Sequence, residues 1–107
     1  MVRATTPTLT LTIKDQTVDL THARNVYVTL EQGTFQQTKT GEDIEIEARK
    51  VYVWLSQTES LQLTEGKALE CQVNWTYLDT DGVTVKRAAT NVAKIPVTRQ
   101  LLAEVIT

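Results

Sequence analysis

From Thr8 to Ile13 the chain alternates without a break, with Leu9, Leu11 and Ile13 on one phase and threonines on the other. That is the period of a strand with one buried face. Lys14-Asp15-Gln16 reads as a turn, and Val18 and Leu20 continue the inward series. A second strand is predicted over Arg24 to Glu31, with Val26, Val28 and Leu30 inward, Tyr27 and Thr29 outward, and Gln32-Gly33 as its end. Phe35 sits in a short polar strand, Thr34 to Thr38, followed by a turn over Lys39-Thr40-Gly41-Glu42. Asp43 to Glu47 alternates again, and its outward carboxylates suit an edge strand, where charge discourages pairing with another chain. Lys50 to Leu55 is apolar on both phases, so it is either a central strand covered on two sides or one whose outer face meets a partner.

Ser56-Gln57-Thr58-Glu59 has capping-box spacing and predicts a helical turn that carries the chain between sheets, with Leu61 and Leu63 anchoring the crossing. After a turn at Thr64-Glu65-Gly66 comes the longest alternating run, with Leu69, Cys71, Val73, Trp75 and Tyr77 inward and Glu70, Gln72, Asn74 and Thr76 outward. Leu78 to Gly82 is a hairpin connection in which Asp81-Gly82 supplies positive φ, and Val83 to Lys86 returns beside it. Ala88 to Asn91 interrupts the alternation before Val92 to Val97 resumes it, which predicts a bulge or kink inside one long terminal strand. Pro96 cannot donate to a ladder, so it belongs at a sheet edge. Arg99 to Ile106 predicts a short C-terminal helix with Leu101, Leu102, Val105 and Ile106 as its apolar stripe. The whole is expected to be all-β, an immunoglobulin-like two-sheet β-sandwich of about seven to eight strands, with residues 1–107 as one domain.

Composition agrees with the pattern. Threonine and valine are abundant while Gly (4) and Pro (2) are scarce, which is strand chemistry. A net charge of -2, from 11 basic and 13 acidic residues, gives no footprint for nucleic acid or an anionic membrane. A single cysteine excludes an internal disulfide framework. The start lacks the apolar run of a signal peptide, and the longest apolar stretch, Val51 to Leu55, is far too short to span a bilayer. Synthesis in the cytoplasm is the expectation.

The search for chemistry returns nothing catalytic. His22 is the sole histidine, and Cys71 falls on an inward phase where a thiol serves as a small apolar side chain. Asp79-Thr80-Asp81-Gly82 lacks the later ligands of a calcium loop, and Gly66-Lys67 lacks the rest of a phosphate loop. Glu45 and Glu47 share one strand face and do not converge as a hydrolytic pair would. No enzyme, metal or cofactor is therefore expected. The outward aromatics Tyr27, Tyr52 and Trp54, together with Leu102 and Ile106 of the tail, are the candidate partner-binding residues. Tyr52 and Trp54 require cover, either from the C-terminal segment or from a second subunit.

Three stretches, Val26 to Gly33, Leu55 to Gly66 and Asn91 to Ile106, resemble small structural proteins of tailed phages and of prophages in Gram-positive bacteria. The layout is similar to the amino-terminal immunoglobulin-like domain of siphophage upper baseplate proteins, though without the long helix and second module that grip a receptor-binding protein. The resemblance implies a virion-associated tail or baseplate protein that acts by contacts with other phage structural proteins, or with itself as a homo-oligomer. It carries over no site residues. The alternative from the residues alone is a carbohydrate-binding or adhesive β-sandwich module using Tyr27, Tyr52 or Trp54.

Overall fold

The alternating segments become strands in the computed structural model, which describes Met1 and residues 6–97. Eight strands are present among the described residues: β1 (Thr8–Thr12), β2 (Asn25–Gln32), β3 (Phe35–Thr40), β4 (Ile44–Ile46), β5 (Lys50–Trp54), β6 (Ala68–Leu78), β7 (Val85–Ala89) and β8 (Ala93–Pro96). One short helix, α1 (Gln57–Leu61), links β5 to β6. The strands form two antiparallel sheets. The smaller is ordered β1-β5-β4, and the larger β3-β2-β6-β7 with β8 also on β6. The predicted C-terminal helix lies outside the described residues.

Each sheet contributes one face to a shared core. Leu9, Leu11, Val51 and Val53 of the smaller sheet join Val26, Val28, Leu30, Leu69, Cys71 and Val73 of the larger in a single buried cluster. Pairing explains why these residues act together, because antiparallel partners share a face: Leu9 lies opposite Val53, and Leu30 opposite Cys71. The Val51–Val53 strand is central in its sheet but not covered on both sides, since Trp54 on its outer phase stays exposed, and β4 with Glu45 is at the edge. Ile46, at the end of that edge strand, stays 38% exposed.

The crossing between sheets follows its local signals. The Ser56 hydroxyl accepts the Glu59 N–H at 3.1 Å, and the Glu59 carboxylate accepts the Ser56 N–H at 3.0 Å. This reciprocal cap satisfies two amides at the helix start. Glu59 also takes the Lys39 ammonium at 2.8 Å, with both side chains largely covered. Burial works to raise the Glu59 pKa, but the Lys39 and Ser56 hydrogen bonds and the Lys39 charge outweigh it, leaving the carboxyl below its ordinary value.

Lys39 and Thr40 are strand residues, not the predicted turn. β3 continues far enough for Thr40 to pair with Tyr27, and the Thr40 hydroxyl donates to the Val26 carbonyl at 2.7 Å. The turn instead begins at Gly41, a 3-10 turn over Gly41–Asp43. The interruption at Ala88 to Asn91 is a one-residue bulge: Ala89 faces Asn74 but Ala93 faces Cys71, so four steps on one chain match three on the other. Thr90 fills the gap. Its hydroxyl accepts the Val73 N–H at 3.1 Å, its own N–H reaches the Val73 carbonyl at 2.9 Å, and its carbonyl accepts the Gln72 side-chain amide at 2.9 Å. Pro96 sits on β8 at the edge, opposite Ala68.

Candidate interaction surface

The two sheets are unequal in length, and the consequence is visible at one end of the molecule. β6 has 11 residues and β5 has 5, so at about 3.3 Å per residue the inner face of the larger sheet outruns the smaller sheet by roughly half its length. Tyr77 therefore departs from the expectation that it is buried. It keeps the inward phase of Leu69 to Trp75 but remains 37% exposed, because no strand of the smaller sheet stands opposite it. Beyond it the β6–β7 hairpin continues with Leu78, Val83 and Val85 all exposed, and Val92 beside the bulge is exposed too.

Tyr77, Leu78 and Val92 border an open groove of about 1040 Å³. Trp75, Tyr77 and Ala88 form its floor, the segment from Ile13 to Asp19 forms one wall and Thr90 to Ala93 the other. Ala88 belongs there because it pairs with Trp75 across β6 and β7 and so shares its face. Charges of both signs stand at the rim, Lys14, Asp15, Asp19 and Arg24, with His22 beside them. The two carboxylates there are occupied by local turns. Asp15 accepts the Thr17 N–H at 2.9 Å and hydroxyl at 2.7 Å, and Asp19 accepts the Thr21 N–H at 3.0 Å and hydroxyl. Those hydroxyl and backbone donors lower both pKa values, so the rim carboxylates stay ionised.

The hairpin itself is held by turn chemistry. Asp81 accepts the N–H groups of Val83 and Thr84, each at 2.8 Å, and the Thr84 hydroxyl at 2.6 Å, while Gly82 adopts φ 71°. The Thr84 hydroxyl, followed by the two amides, pulls the Asp81 pKa down. Asp79 pairs with Lys86 at 3.2 Å. The exposed apolar residues are thus presented on a braced hairpin, with no cluster of metal-ligating side chains among the described residues.

The residues singled out from the sequence are dispersed. Tyr52 and Trp54 lie on the outer face of the smaller sheet, whereas Tyr27 lies on the outer face of the larger, on the opposite side of the molecule. The three aromatics therefore form no common platform. Tyr52 is half-buried by its own sheet, where Thr10 and Glu45 are its cross-strand neighbours. Burial, then the hydrogen bond and charge of Glu47 and the charge of Glu45, raise its phenol pKa. Trp54 is 39% exposed. Leu102 and Ile106 lie outside the described residues. The hairpin itself was predicted, but the exposure of Leu78, Val83 and Val85 on it and the groove beside it were not.

His22 and Cys71 do not meet. The His22 side chain is 84% exposed in a 3-10 turn, 3.7 Å from the Asp19 carboxylate, while Cys71 is 1% exposed among the core residues of β6. Burial pushes the Cys71 thiol up to about 11. The neutral thiol is favoured by folding, so this contribution to stability is complete below the unfolded thiol value of about 8.5 and is lost as pH rises from there through about 11. Cys71 is accordingly expected to react with Ellman's reagent at pH 8 only as fast as the protein opens, and at the free-thiol rate in denaturant. Fast labelling of the native protein would place the residue outside the core.

On the outer face of the larger sheet, polar side chains near the middle of β6 pair with one another. Asn74, only 8% exposed, accepts from Arg87 Nε at 3.2 Å and Nη2 at 3.0 Å. Among the described residues no helix is long and apolar enough to cross a membrane. Neither a protein-family model, nor a curated protein, nor a solved structure matches this chain.

Proposed function

We propose that this chain is a non-enzymatic structural protein that acts by protein–protein contacts, as a tail or baseplate component of a tailed phage or prophage. The observation that carries the contact role is the apolar end of the molecule: Tyr77 and Val92 are exposed along the groove, and Leu78 and Val85, paired across β6 and β7, are exposed on the other face of the same braced hairpin, with Val83 at its turn. Isolated exposed apolar residues need no explanation, but several gathered at one braced end of a molecule suit a partner-binding surface. The two antiparallel sheets and one-sided core support an immunoglobulin-like sandwich, the layout of the baseplate domains that the sequence resembles. The narrower placement in a phage tail rests on that resemblance, over Val26 to Gly33, Leu55 to Gly66 and Asn91 to Ile106.

Mass spectrometry of gradient-purified particles from an induced host, compared with a strain in which the gene is deleted, tests the placement. The expected result is the chain at a fixed copy ratio to the tail proteins, and tails that are missing or defective in the deletion strain. Its absence from particles, with normal tails in the deletion strain, would remove the phage role. The carbohydrate-binding alternative draws on Tyr52 and Trp54 sharing one face, and predicts that glycans quench Trp54 fluorescence.

A further inference from the structure

We infer that β1 is a self-pairing edge: a second copy of this chain adds its own β1 antiparallel, about a twofold axis at Thr10, and the two smaller sheets join into one. The contact uses a surface separate from the hairpin and its groove, so it goes beyond the reading above and does not rest on it.

Backbone geometry sets which groups are open. The Leu55 N–H donates to the Pro7 carbonyl at 3.1 Å and the Ile13 N–H to the Arg49 carbonyl at 2.8 Å, so the odd-numbered positions of this strand bond across to β5. In an antiparallel ladder the intervening residues turn their N–H and C=O the other way. Thr8, Thr10 and Thr12 therefore present theirs along the free edge of the smaller sheet, and among the described residues no donor or acceptor reaches them. Their side chains are exposed as well, whereas Leu9 and Leu11 keep the core face.

That edge lacks the devices that close the others. Sheet edges are ordinarily guarded by charge, proline or brevity. β4 is three residues long and carries Glu45. β3 carries Lys39, opposite Val28 on the core-facing phase, with its ammonium on Glu59. β7 carries Lys86 and Arg87, and β8 carries Lys94 and Pro96. β1, Thr-Leu-Thr-Leu-Thr, has neither charge nor proline.

The sequence of the strand selects a second copy as the occupant. It reads the same from either end, so antiparallel pairing about Thr10 sets Thr8 opposite Thr12 of the other copy, Thr10 opposite Thr10, and Leu9 opposite Leu11. Threonine then meets threonine on the outer face and leucine meets leucine on the core face, both favourable cross-strand pairs. The outward threonines are the hydrogen-bonded pairs of this register, which adds roughly six backbone hydrogen bonds. Sliding by one residue sets threonine against leucine and loses those bonds, and this fixes the axis at Thr10. Each copy uses the same surface, so association stops at a dimer.

Thr10→Cys and Thr12→Cys variants of the full chain, mildly oxidised at neutral pH where the buried Cys71 stays silent, test the register. Thr10→Cys is expected to give a disulfide-linked dimer, because directly opposed strand residues lie within the span of that bond. Thr12→Cys alone should not, since its counterpart lies four positions along the strand pair, about 13 Å at roughly 3.3 Å per residue. The unsubstituted chain should sediment as a monomer–dimer equilibrium, and its Thr8, Thr10 and Thr12 amides should exchange more slowly as concentration rises. Thr10→Lys, at an exposed position outside the core, should weaken association several-fold by opposing two ammonium groups. A chain that stays monomeric at all concentrations would overturn the inference. So would disulfide formation as ready through Thr12→Cys as through Thr10→Cys, which denies the register. Protection of the three amides that is unchanged on dilution would also overturn it, because a segment of the same chain would then hold the edge. A dimer absent from purified particles upholds the contact and removes the phage role, and a monomer found in them does the reverse.

Discussion

Leu30→Ala is expected to destabilise the protein by about 2–5 kcal/mol, the range for truncating a fully buried leucine whose surroundings relax only in part. Leu30 has no exposed surface and lies on β2, paired with Cys71 of β6 on one side and Gln37 of β3 on the other. Neighbours fixed by two ladders cannot collapse into the space the side chain leaves. At about 4–8 °C per kcal/mol for a domain of this size, the melting temperature should fall by about 8–40 °C. Glu31→Ala, one residue on and facing outward, should stay within about 0.5 kcal/mol. Chemical denaturation of the pair checks both the magnitude and the facing. Equal damage at the two positions would mean that the register of β2 is displaced by one residue, since such a slip exchanges the faces of the whole strand.

Gln32→Ala should cost about 2–4 kcal/mol, more than a polar residue at a strand end ordinarily would, because it strips partners from backbone groups next to the core. The Gln32 side chain is 8% exposed and serves the loop between α1 and β6 three times: its amide donates to the Thr64 carbonyl at 3.0 Å and the Lys67 carbonyl at 3.1 Å, and its oxygen accepts the Thr64 N–H at 2.6 Å. That loop leads into Gly66, which in turn bonds Val97, so the clamp also sets where β8 ends. Gln32→Glu separates hydrogen bonding from packing. It keeps the shape and the acceptor but turns a carboxylate oxygen toward two carbonyls, so it should be destabilised at neutral pH and recover as the pH falls and the carboxyl gains a proton. Amide exchange at Thr64 should accelerate in both variants. A Gln32→Glu protein as stable as the parent at pH 7 would mean that the clamp does not form.

Alternation alone identified most of the sheet residues. Leu9, Leu11, Val26, Val28, Leu30, Val51, Val53, Leu69, Cys71 and Val73 are buried as their phase predicts, because the two-residue side-chain period of a strand is a local property written into neighbouring positions. The Ser56–Glu59 cap and the Asp81-Gly82 turn were legible for the same reason: each motif satisfies backbone groups a few residues away. The bulge before Val92 was legible too, as a break in the alternation, although its closure by Thr90 was not.

What escaped the sequence depends on the other sheet. Tyr77 has the same phase as Val73, yet one is exposed and the other buried, because burial needs an opposing layer and the short strands β1, β4 and β5 end before reaching Tyr77. Tyr27, Tyr52 and Trp54 read alike as outward aromatics, but only the assignment of their strands to different sheets sets Tyr27 on the opposite side from the other two. Gln32 looked like the end of a strand and proved to be a clamp on a loop 32 residues away. The sequence by itself determined which residues share a strand face, since that follows from backbone geometry over a few positions. Only the tertiary structure decided which of those faces are covered, because cover depends on the relative lengths and placement of two sheets whose strands come from distant parts of the chain.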